Sequence, residues 1–79
     1  MSSIHIQFGK AVRTARLSAG LSQEALATKA GIHRTYVSSV ELGKVRIGLE
    51  VAHRLAAGLG VPLNELIAAA ESNSVDDST

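Results

Sequence analysis

Arg34, Thr35, Ser38 and Ser39 place one guanidinium and three hydroxyls close together in the chain. On a helix, successive side chains turn by about 100°. With Arg34 set at zero, Ser38 falls near ~40°, Thr35 near ~100° and Ser39 near ~140°. Val40 and Val37 fall near ~240° and ~300°, and Tyr36 lies on the border near ~200°. One arc is therefore apolar and faces a core. The other is polar, short-chained and rich in hydrogen-bond donors. Such an arc suits the edges of base pairs in the major groove. Short Ser and Thr side chains let a helix come close, a threonine methyl fits thymine, and an arginine can grip guanine O6 and N7 with two bonds. Taken alone, the strip fits a plain solvated helix face equally well.

Other chemistries find little support. His5, His33 and His53 lie far apart, without the spacing of metal ligands. Ser38 and Ser39 have no evident base partner, and no glycine-rich phosphate loop is present. The reading is of a protein that is not an enzyme, with no metal and no cofactor.

The strip needs a scaffold, and apolar spacing at three and four residues predicts one made only of helices. The first runs from about Ile4 to Ala19, with Phe8, Ala11, Val12 and Ala15 on its inner face. Gly20 caps it. The second runs from about Gln23 to Lys29, with Ser22 as N-cap and Glu24 in its first turn. Gly31 supplies a sharp turn. The third runs from about Arg34 to Leu42, stops at Gly43, and has His33 in the cap position, where His is a poor choice. The fourth runs from about Leu49 to Leu59. Its expected core stripe is Leu49, Ala52, Leu55, Ala56 and Leu59. The fifth starts near Pro62, well placed at a first turn, and is expected to reach about Ala70 with Leu63, Leu66, Ile67 and Ala70 inward. The stretch 71–79, ESNSVDDST, has little to bury and is expected to be disordered.

The 79 residues make one small domain with only two aromatic side chains, Phe8 and Tyr36. So small a core is marginal for a monomer, and pairing with a second copy would bury more. The absence of cysteine suits a reducing compartment. No stretch is apolar enough to span a membrane, and MSSIHIQFGK does not read as a secretory signal, so a cytoplasmic protein is expected. Net charge is +1, but it is divided: residues 1–70 carry eight basic and four acidic residues, and residues 71–79 add Glu71, Asp76 and Asp77. The folded part is basic and the tail acidic.

The segment GLSQEALATKAGIHRTYVSSVELGK resembles the helix-turn-helix of Cro/C1-type regulators, the XRE family. The residues that carry the resemblance are Gly20, Leu21, Ser22, Gln23, Leu26, Ala27, Gly31, Ile32, Val37, Glu41 and Gly43. VRTARLSAG upstream and LGVPLNEL downstream match as well. Residues 8–70 are covered, with the helix-turn-helix at 22–41, the start of helix 1 at 1–7 and the acidic tail at 71–79. Within the family, GIH followed by RTYVSSVE is similar to the small controller proteins of restriction-modification systems.

The resemblance implies a compact five-helix bundle of the lambda-repressor-like type. It implies a homodimer that binds palindromic operator sites in double-stranded DNA and regulates transcription. Arg34, Thr35, Ser38 and Ser39 would read bases. Ser22, Gln23, His33, Tyr36, Lys44 and Arg46 would meet the backbone or groove edge, and Arg16 with Glu41 would form a structural ion pair. The spare apolar surface for dimerisation is expected at Val61, Leu63, Ile67 and Ala68. No small-molecule ligand is expected. Where the family often has Pro-Ser before the fourth helix, Ile47-Gly48 stands here, which predicts a loose loop. The alternative reading is an antitoxin or phage-type repressor whose main partner is a protein.

Overall fold

The computed structural model describes residues 3–77. It contains α1 (Ile4–Ser18), α2 (Gln23–Ala30), α3 (Arg34–Glu41), α4 (Leu49–Leu59) and α5 (Leu63–Asp77). Local chemistry sets the boundaries. Ser3 caps α1 by accepting from the Ile6 N–H, and Ser22 caps α2 by accepting from the Ala25 N–H at 3.0 Å. Between α2 and α3, Gly31 adopts a left-handed φ of 71°. Its N–H donates to Thr28 O at 3.3 Å, and the Ile32 N–H reaches back to Ala27 O at 3.0 Å. These bonds satisfy carbonyls that the helix end would otherwise leave open, and they turn the chain toward α3.

α1 packs against α5 and α3, and α2 packs against α4 and α3. The core comprises Phe8, Ala11, Val12, Leu26, Ala27, Ala30, Val37, Val40, Ala52, Leu55, Ala56, Leu59, Leu66 and Ala70. Small residues dominate it, so helix backbones approach closely. Gly9 marks the tightest approach. A Cβ there would collide with the Val40 carbonyl oxygen and stand 3.1 Å from that of Glu41. α1 thus rests directly on the last turn of α3. Propensity alone would favour Gly9→Ala by about 0.5–1 kcal/mol. The collision is with backbone, which cannot rotate away, and overpacking of this kind costs about 1–3 kcal/mol or more. A net loss near 2 kcal/mol is expected, a fall of roughly 8–16 °C in Tm. An unchanged or raised melting temperature would show that the two helices do not meet as described.

Two expectations are corrected. Leu49 is not part of the α4 stripe: it is 79% exposed, while Ala52, Leu55, Ala56 and Leu59 are buried. It is the first residue of α4 and stands on the rim of a surface groove rather than in the core. α5 does not end near Ala70 but continues as helical backbone to Asp77; residues 78–79 lie outside the described residues. Extending an anchored helix needs no new nucleus, and each added residue gains a backbone hydrogen bond.

Candidate nucleic-acid interface

α3 is held at three places. Val37 and Val40 are buried in the core, at 0% and 2% exposure. At its C-terminal end, Glu41 accepts from Arg16 through both oxygens, Nε to Oε2 at 2.7 Å and Nη2 to Oε1 at 3.1 Å. Glu41 Oε1 also accepts from Gln23 Nε2 at 3.1 Å, and Arg16 Nη1 donates to Leu21 O at 2.9 Å. One carboxylate therefore joins α1, the start of α2 and the end of α3. The hydrogen bond to Glu41 raises the Arg16 pKa above its ordinary value, against the opposing pull of burial. A raised pKa means that the pair's contribution is complete below the ordinary arginine value, so Arg16 stays charged through neutral pH.

The third restraint is at the N-terminal end. His33 Nδ1 accepts from the Thr35 backbone N–H at 3.3 Å and lies 2.8 Å from Thr35 Oγ1. A ring nitrogen takes the part usually played by a Ser, Thr or Asp oxygen, so the cap that looked poor in the sequence is filled.

The polar strip stands out from this frame. Arg34 and Thr35 are exposed, and Ser38, Ser39 and Tyr36 are half-buried beside them. The first turn of α3 is the most exposed part of the strip, as suits a helix entering a groove by its N-terminal end. Ser22 is exposed but its hydroxyl already caps α2. The Gln23 carboxamide is turned toward Glu41 rather than outward, which leaves one of its amide hydrogens for any phosphate. Lys44 and Arg46 are exposed in the loop after α3, while Val45 and Ile47 between and after them pack against the core. That alternation anchors the loop to the core at two points.

Arg54 was not among the expected site residues. Its Nη1 donates to Gly31 O at 3.4 Å and its Nη2 bonds Glu50 Oε2 at 3.0 Å. It braces the α2–α3 turn from α4. The Glu50–Arg54 spacing of four was visible in the sequence, whereas the contact with Gly31 depends on how α4 packs.

Of the four residues expected at a dimer contact, Val61, Leu63 and Ile67 are half-buried against the monomer's own core, and only Ala68 is exposed. Exposed apolar side chains stand elsewhere. Leu49 and Ile4 flank a groove of about 310 Å³ whose walls include Phe8, Ile47, Ala52 and Ile67. Among the described residues no group of three acidic or histidine side chains could hold a metal ion, and no helix is long and apolar enough to cross a membrane.

Comparison with known proteins gives a consistent result. A helix-turn-helix family model matches residues 12–66. The control protein C.MunI of a Mycoplasma species is 40% identical over 67 residues, covering 84% of this chain and 90% of that one. The control protein C.BamHI of Bacillus amyloliquefaciens is 37% identical over 67 residues, covering 84% and 83%. Among solved structures, the restriction-modification controller protein C.AhdI from Aeromonas hydrophila aligns with a TM-score of 0.75 at 39% identity, covering 77% of this chain and 92% of that one.

Proposed function

The chain belongs to the helix-turn-helix family of DNA-binding transcription regulators, and from that premise we propose that it acts in the cytoplasm as the controller protein of a restriction-modification system. The observation that carries this reading is similarity along nearly the whole length of small control proteins, the 90% coverage of C.MunI above all. The antitoxin and phage-repressor alternatives draw no support from these relatives.

In this reading Arg34, Thr35, Ser38 and Ser39 contact base edges, and Tyr36 and His33 line the groove margin. Lys44 and Arg46 hold phosphates, as basic residues in a pinned loop beside a recognition helix are placed to do. The protein binds as a homodimer, because one short helix reads too few base pairs for a unique site, and two copies match half-sites about one helical turn apart. The groove beside Leu49 is the face where the second copy docks. About a two-fold axis there, each Leu49 enters the other copy's groove.

Selection of bound fragments from a random DNA pool should return a palindrome. On that site Arg34→Ala is expected to cost about 1–3 kcal/mol and to relax one base position in each half. Lys44→Ala should weaken binding to all sequences alike and lower the salt slope by about one. If Arg34→Ala leaves the ratio of specific to non-specific affinity unchanged, α3 is not the reading helix.

A further inference from the structure

The bonds at the start of α3 fix which way Thr35 offers its hydroxyl. His33 Nδ1 lies within hydrogen-bond distance of both the Thr35 backbone nitrogen, at 3.3 Å, and Thr35 Oγ1, at 2.8 Å. A backbone N–H can only donate, so Nδ1 accepts and carries no proton. The ring hydrogen then sits on Nε2, a tautomer assigned from these two contacts. With Nδ1 bare, the shorter contact has a single polarity: the Thr35 hydroxyl donates to the ring. A hydroxyl has one hydrogen. That hydrogen points back into the cap, and Thr35 presents only lone pairs, beside its methyl, to the outside.

We infer that Thr35 meets DNA as a hydrogen-bond acceptor, and that His33 is the positioning residue that makes it one. In the major groove the exocyclic amino groups of adenine and cytosine donate, whereas guanine O6 and N7 and thymine O4 accept. On the strand edge that Thr35 faces, the site therefore selects adenine or cytosine over guanine or thymine. A threonine free to rotate would accept or donate and would not discriminate in this way. The inference rests on the DNA reading above and adds to it the sense of one contact.

The test measures binding of the wild type and three variants to operators varied one base pair at a time. Thr35→Val keeps the shape and removes the hydroxyl, so the position where its preference is lost is the one Thr35 faces. There the wild type should favour adenine or cytosine by roughly threefold to tenfold, the worth of one hydrogen bond. His33→Ala releases the hydroxyl and should shrink that preference to below about twofold, while the position read by Arg34 keeps its own. His33→Asn retains an acceptor oxygen at the cap and should restore the preference. Nitrogen NMR of the free protein at mildly alkaline pH should show His33 with Nδ1 bare and Nε2 protonated. The inference is overturned by the opposite tautomer, by a wild-type preference for guanine or thymine at the Thr35 position, by a Thr35→Val variant that changes no position, or by His33→Ala leaving the preference intact. Failure of the wild type to select any sequence would instead refute the DNA reading itself.

Discussion

Glu41→Ala should remove about 3–5 kcal/mol of stability, because it leaves a buried guanidinium without its counter-charge. The side chains of Arg16 and Glu41 are only 10% and 3% exposed, so water cannot replace the lost carboxylate. A domain of this length is stable by about 4–12 kcal/mol in all. The variant would therefore melt roughly 12–40 °C lower, or fail to fold. An exposed pair would lose only about 0–1 kcal/mol, so urea denaturation separates the two cases clearly. Replacing both charges together, as Arg16→Met with Glu41→Leu, should recover most of the loss, since it removes the unpaired charge along with its partner. The same carboxylate also holds Gln23. Its removal frees the start of α2 and the end of α3 at once, and DNA affinity should fall for every sequence rather than at one base. A loss below about 1 kcal/mol would mean that this network is solvated and does not set the angle between the helices.

What the sequence revealed and what it hid divide along the distance between interacting residues. Helix ends were readable because their causes are local: Ser22 and Ala25 are three apart, and Gly31 needs only its own backbone freedom. The polar arc of α3 was readable because Val37 and Val40 fix which side is buried. Arg16 and Glu41 are 25 positions apart, and no periodicity pairs them; only the family resemblance did. Gly9 gave no useful signal at all, since an isolated glycine in a helix looks like a propensity defect until the carbonyl of Val40 is found against it. His33 looked wrong as a cap because propensity counts residue types, whereas the bond needs only an unprotonated acceptor in the right place. Leu49 was misplaced for a related reason. The helical period gives the face on which a residue lies, but not how far along that face the neighbouring helices extend.

The error at Leu49 leads to the second large effect. A leucine that is 79% exposed at the edge of an apolar groove has no role in the monomer's core, so Leu49→Glu should leave the fold of one chain unchanged. In a two-fold dimer the same substitution sets two carboxylates into apolar walls near the axis, where burial without a partner is costly. Sedimentation should then show the variant at half the wild-type mass, with far-UV circular dichroism preserved. Its melting temperature should no longer rise with protein concentration, as that of a dimer does. Operator affinity should fall by roughly 10²–10⁴-fold, because the second half-site is no longer held at high effective concentration. Contacts within a single half-site stay in place, so the base preferences of the residual binding should be unchanged. Leu17→Glu makes the matching control, as Leu17 is 55% exposed on α1 and does not line this groove. It should alter neither mass nor affinity by more than about twofold, the scale of an ordinary surface change. A dimer that survives Leu49→Glu but dissociates with Ala68→Glu would move the interface to the exposed side of α5.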